Sequence, residues 1–156
     1  MNPSDYLLPL PAIDWHSALA EWRWLLPPDC SPRHVTSFGD VFLVSGIDLG
    51  LLDLENGTFY RYCDIQTAIA DALADDADAD VLLYTKLAGE LAAIGCDLTA
   101  GRCYHFKIPT ILGGEFVVSN IATNTIDERI RFCGDFHRQI KDLPDGASVR
   151  LKFTDG

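Results

Sequence analysis

The spacing of apolar and polar positions changes several times along the chain. In "IDWHSALAEWRWLL" (13–26), Ile13, Ala18, Trp22 and Leu25 recur at helical intervals, and Trp15 and Trp24 widen the stripe. Asp14 stands where an N-cap belongs, and the prolines of "PPDCSP" end the segment. Short apolar or aromatic runs follow, "GDVFLVSG", "IDLGLLDLE" and "GTFYRYCD", separated by Gly, Asp and Asn. They predict an antiparallel meander over residues 40–62. "ENG" at 55–57 marks a hairpin turn, because Asn-Gly accepts the positive φ of a type I′ turn.

Helical spacing then returns twice. Ile65, Ile69 and Leu73 follow Asp64. Tyr84, Leu87, Leu91 and Ile94 follow Asp80 or Val81 and stop at Gly95. "RCYHFKIP" and "GEFVVSN" predict two further strands joined by a turn. "TIDERIRFCGDFHRQIKD" opens on a capping box of Thr125 and Glu128, with Ile126, Ile130, Cys133, His137 and Ile140 on one face. "LPDG" is a turn and "ASVRLKF" a last alternating strand. Strands arriving in neighbouring short-turn pairs predict an α+β fold, an antiparallel-rich sheet with packed helices in a single compact domain over 1–156.

At 156 residues the chain is long enough to bury a core without staples. Twelve Lys and Arg against 23 Asp and Glu give a formal charge of −11. Such a surface repels phosphate backbones, so neither nucleic acid nor an anionic membrane is an expected partner; a cationic protein is attracted. No apolar run approaches the roughly 18 residues of a membrane span. "MNPSDYLLPLPAIDW" has no basic residue before its apolar patch, so no secretory leader is expected and the chain is expected to be cytoplasmic. The five cysteines are scattered, with no C-x-x-C, which argues against a disulfide framework or a zinc ribbon.

Candidate chemistry is sparse. Cys103 and His105 alternate along one strand and share a face, with Tyr104 and Phe106 on the other, so scaffold is the simpler reading than a nucleophile and its base. Gly113-Gly114 lacks the spacing of a phosphate loop and suits a turn. Cys133 and His137 are four apart on a helix, but no second pair completes a metal site. "DDADAD" begins like a calcium loop, yet Val81 and Leu87 occupy the positions that need Gly and Glu. No catalytic residue, metal or cofactor is therefore expected. The alternatives left open are a small cytosolic hydrolase using Cys103, His105 or His137, and a ligand-binding regulatory module.

Three stretches carry a family resemblance: "FGDVFLVSGIDLGLLDLENGTFYRY", "YHFKIPTILGGEFVVSNI" and "TIDERIRFCGDFHRQIKDLPDGASVRLKF". With Phe38-Gly39-Asp40, Leu112-Gly113-Gly114, Asn120 and Pro144-Asp145-Gly146, the chain resembles the Tdi family of immunity proteins paired with type VI secretion DNase effectors. The resemblance implies a GAD-like region over 12–78 and a C-terminal immunity region over 79–153. It also implies inhibition by binding a cognate DNase toxin, an acidic surface set against a cationic one. Expected rim residues are Asp75, Asp76, Asp78 and Asp80, with Asp48, Asp53 and Glu55 on the meander turns; expected anchors are Trp22, Trp24, Phe59 and Tyr60. Leu112, Gly113, Gly114, Asn120, Pro144, Asp145 and Gly146 are expected to hold the fold.

Overall fold

The computed structural model describes residues 6–46, 48–62, 80 and 83–149. Five antiparallel strands follow one another in sheet order: β1 (Leu7–Leu8), β2 (Ser31–Thr36), β3 (Val41–Ser45), β4 (Asp48–Asp53) and β5 (Thr58–Tyr62). The meander is as expected from β3 onward; β1 and β2 extend it. β2 was hidden by Pro32, which has no N–H for a ladder. It lies beyond the two residues of β2 that pair with β1, and the register shifts between Pro32 and His34. β4 reads as a continuous apolar run because it is buried on both faces from Leu49 to Leu52.

The β4–β5 connection is not a two-residue turn. Asp53 pairs with Thr58, so four residues form the loop, and Gly57 alone among them takes positive φ, at 66°. Asp53 closes it by accepting from Asn56 N at 3.0 Å and from Asn56 Nδ2 at 2.8 Å.

The expected helix over 13–26 forms as two short pieces, α1 (Trp15–Ala18) and a 3₁₀ turn (Ala20–Trp22). Asp14 caps the first, its Oδ1 accepting from Ser17 N at 3.1 Å. The tighter winding puts Leu19 and Trp22, three apart, on the same inward face, where both are buried. Trp22 Nε1 then donates to Ile130 O at 2.9 Å.

α2 (Thr85–Ala93) begins later than expected, because Tyr84 sits in the left-handed region at φ 52°. It buries Leu87, Ala88 and Leu91 but leaves Ile94 exposed. Cys96 N donates to Leu91 O and Gly95 N to Ala92 O, a Schellman ending on a positive-φ glycine.

β6 (Arg102–Phe106) pairs with β7 (Ile121–Thr125), from Arg102↔Thr125 to Phe106↔Ile121. "GEFVVSN" is thus not the second strand; "IATNT" is. Residues 107–120 form a loop with 3₁₀ turns at Thr110–Leu112 and Val118–Asn120. The physical reason is the buried Asn120 carboxamide. It accepts from Ile108 N at 2.9 Å and donates to Ile108 O at 3.1 Å and Glu115 O at 3.0 Å, replacing ladder bonds. Gly114 is needed beside it, since a Cβ there would fall 1.8 Å from Ile108 O.

The long helix α3 (Ile126–Ile140) starts on Thr125, whose Oγ1 accepts from Glu128 N at 3.1 Å. The return bond of a capping box comes from elsewhere: Thr125 N donates to Asn124 Oδ1 at 2.8 Å. The two sheets are tied where Tyr104 N donates to Ser37 O and Ser37 N to Tyr6 O. β6 feeds two apolar clusters, as its alternation predicts. Cys103 joins Trp22, Val35, Leu52, Ile126 and Ile130, while Tyr104 and Phe106 join Phe38, Leu87, Leu91 and Ile121. The result is the expected antiparallel α+β domain. The helix expected after Asp64 lies outside the described residues. The final strand lies largely outside them too, and its first three residues, 147–149, are not in a strand.

Replacing Asn120 with Ala removes three hydrogen bonds around a buried group. We expect a stability loss of about 2–3 kcal/mol, read as a lowered urea midpoint with unchanged slope. A loss within the noise of the measurement would show that the loop holds its shape without the carboxamide.

Candidate partner-binding surface and the polar centre beneath it

Beneath the surface lies a cluster of charge. α3 carries Arg129, which is 5% exposed, and Glu55 from the β4–β5 loop meets it at 3.3 Å while only 4% exposed. Arg129 Nε donates to Phe38 O at 2.7 Å, which draws the β2–β3 turn onto the helix. The other oxygen of Glu55 accepts from Thr110 N at 2.6 Å and so anchors the 107–120 loop. Asp40 accepts from Leu54 N at 2.9 Å, and Asp53 closes the neighbouring turn.

Three carboxylates, Asp40, Asp53 and Glu55, are buried in this region, and among them the guanidinium pairs directly with Glu55. Burial, reinforced by the charge of Asp53, pushes the Asp40 carboxyl well above the ordinary 3.8.

His137 completes the centre. Its Nε2 lies 2.9 Å from Leu54 O and 3.1 Å from Glu55 O, so it must carry the proton and donate to both. Gly57 lies flat against the ring, where a Cβ would come within 2.4 Å of Nδ1. Burial lowers the pKa of His137 and of His105 below the ordinary 6.5, which keeps both imidazoles neutral.

His105, His137, Cys133, Glu55 and Arg129 line one cavity of about 40 Å³. It has room for water but falls far short of a ligand-sized site. Cys103 does not line it. Burial pushes the Cys103 thiol up to about 12 and that of Cys133 up to about 11, so neither is poised as a thiolate near pH 7. Among the described residues, no three His, Cys, Asp or Glu side chains are grouped to hold a metal ion. The arrangement can pin backbone carbonyls and lock a loop.

The residues expected at a partner interface divide. Asp48, Tyr60 and Trp24 are exposed, Asp80 and Phe59 are half-buried, and Asp75, Asp76 and Asp78 lie outside the described residues. Trp22, Asp53 and Glu55 are buried, which corrects their expected exposure. Trp22 serves as the internal anchor of the N-terminal helical turns. Asp53 and Glu55 are drawn inward because the β4–β5 loop is tucked beneath α3. Asp80 caps the approach to α2, its Oδ1 accepting from Lys86 N at 2.8 Å. Of the remaining signature positions, Leu112 is half-buried, Gly113 and Gly146 take positive φ, and Pro144 O accepts from Ala147 N.

Sequence reasoning missed the outward apolar side chains. Ile111 on the loop, Phe132 on α3 and Leu143 beyond it are each close to half exposed. A signal was present: Phe132, Phe136 and Ile140 repeat every four residues beside the main buried stripe.

Fold and centre together define a small antiparallel α+β domain whose buried polar groups are spent on its own backbone. Residues 69–137, which span α2, β6, β7 and most of α3, match the family model described as T6SS immunity protein Tdi1, C-terminal. That match supports a type VI secretion immunity protein of the Tdi family, as the resemblance implied, and an immunity protein's partner is a protein toxin. No curated protein matches the chain. No helix of the described residues is long and apolar enough to cross a membrane.

The titrations of the centre oppose one another. Asp40 is raised in the fold, so its contribution to stability is complete below its unfolded value of 3.8 and is lost as pH rises through its folded value. His105 and His137 are lowered, so theirs is complete above 6.5 and is lost as pH falls from there through their folded values. We expect Asp40→Asn to keep the bond to Leu54 N and to match or exceed the parent's stability at pH 7, with a flatter pH profile on the alkaline side. Arg129→Met, which strands Glu55, is expected to cost about 3–5 kcal/mol. Thermal melts from pH 4 to 9 read both outcomes.

Proposed function

We propose that the chain neutralises a cognate type VI secretion DNase toxin by binding it directly in the cytoplasm, performing no chemistry of its own. The observation that carries this reading is the match of residues 69–137 to the Tdi1 immunity family. The charge of −11 supports it further. A nuclease presents a cationic surface for its substrate, and an acidic protein is steered to such a surface and competes for it. Within this proposal residues 12–78 form the GAD-like region and 79–153 the immunity region. Asp48, Asp80, Phe59, Tyr60 and Trp24 contribute to the acidic and aromatic surface, joined by Asp75, Asp76 and Asp78.

Co-expression with the nuclease toxin encoded beside this gene tests the proposal. The protein is expected to restore growth and to abolish plasmid degradation, and the purified complex is expected to weaken as salt rises. Continued DNA degradation at full expression of the protein, with no complex formed, would refute it.

A further inference from the structure

Resting on that reading, we propose that the toxin docks on the groove whose apolar wall is formed by Trp24, Ile111, Ile140 and Leu143, with Lys141 and Asp145 among its polar lining, and on the apolar surface that Phe132 adds farther along α3. The occupant is a segment of the toxin that carries an apolar side chain between basic residues.

Three observations carry the proposal. First, the groove is real and open. Trp24, Ile111, Ile140 and Leu143 line a depression of about 430 Å³, enough for one or two large side chains. Phe132, eight residues or about two turns before Ile140, lies outside this depression and stacks on Phe136 with parallel rings whose centroids are 6.2 Å apart, which carries apolar surface along α3. Ile111, Phe132 and Leu143 are 53%, 44% and 47% exposed, so the strip is paid for in solvation and is not part of either core cluster.

Second, its walls are fixed in advance. The Ile111 wall is held by the bond from Thr110 N to Glu55 and by the Asn120 carboxamide. The Trp24 wall is held by its Nε1, which donates to Glu21 O at 2.7 Å, and by Lys141, whose ammonium sits 5.9 Å over the ring. Aromatic anchors in a preformed pocket are where binding energy concentrates.

Third, the rim selects a cation. Every Lys and Arg of α3 and its C-cap is paired within the chain: Arg129 with Glu55, Arg131 with Asp127, Arg138 with Glu21 and Asp135, and Lys141 with Asp142. Among the described residues, Asp145 lines the groove and forms no ion pair, Arg138 is outnumbered by its two carboxylates, and the loop adds one charge of each sign, Lys107 and Glu115. Summed over these described residues, the charge around the groove is negative. A second copy of this chain, itself at −11, is repelled from it, while a basic nuclease is drawn in.

The test uses the full chain and the toxin encoded beside its gene, the latter carrying an inactivating substitution, with binding measured by titration calorimetry. Phe132→Asp and Ile111→Asp are each expected to weaken binding by roughly 30-fold or more, with the melting temperature lowered only modestly: Phe132→Asp gives up the stack on Phe136, and Ile111 is already about half exposed. Ile94→Asp, at the exposed end of α2 and outside every residue placed at the toxin surface, is expected to change affinity less than about threefold. Full binding by Phe132→Asp and Ile111→Asp overturns the docking site and leaves the immunity function standing. Failure of the unmodified protein to bind overturns both. A melting temperature lowered by more than about 10 °C in both Asp variants would show the strip covered by the chain itself. A dimer of the unmodified protein in sedimentation that Phe132→Asp dissolves would show it to be a self-contact. Either of these results also overturns the site.

Discussion

Arg129 is the interaction on which the rest of this molecule is hung. Its guanidinium reaches Phe38 O in the β2–β3 turn and Glu55 in the β4–β5 loop, and Glu55 in turn holds Thr110 in the long loop. Segments separated in sequence by as many as 91 residues thus meet through one side chain of α3. A buried ion pair of this kind is a poor source of net stability, because desolvation takes back most of the Coulombic gain. Its effect is on register: the hairpin loop, the turn and the long loop have one arrangement in which all these groups are satisfied. His137 adds to that constraint by donating to two carbonyls of the same hairpin loop while Gly57 makes room for its ring.

Gathering carboxylates in the interior is costly, and the Asp40 carboxyl responds: burial holds its pKa well above the ordinary value, and its bond to Leu54 N needs no charge. Both imidazoles of the centre are held neutral, and both buried thiols are held as thiols. A centre organised so that groups keep their protons is suited to rigidity. General acid–base catalysis asks for groups poised to exchange them near the working pH.

Much of this fold was legible from periodicity. The meander from β3 to β5, the inward stripe of α3, the Asp14 cap and the glycine stop of α2 each rest on local signals, a turn residue or an apolar spacing that acts over a few residues. What escaped was whatever depends on a distant partner. β2 hid behind Pro32, whose missing N–H matters only where a second neighbour strand exists. β7 was placed too early, because "GEFVVSN" has strand-like composition while the Asn120 side chain diverts its backbone bonds into a loop. Asp53 and Glu55 look like solvated turn acids until Arg129 arrives 74 residues later to bury Glu55. The candidate surface was the least legible part. Net charge and Trp24 pointed toward it, but Ile111 and Leu143 become neighbours of one groove only after the long loop is fixed against α3.

That last dependence connects the interior to the exterior. The loop that carries Ile111 is anchored by Glu55, a residue with almost no exposed surface, and by Asn120, which is equally hidden. An isolated 14-residue loop with this sequence would lose a large entropy on being ordered by a partner. Here the ordering is done during folding, so a partner meets walls already in place and its affinity is not reduced by that term. The same logic accounts for the apparent waste of charged residues in the core. Arg129 and Glu55 do little for the free energy of folding, yet they fix the position of a surface several residues away that neither of them touches.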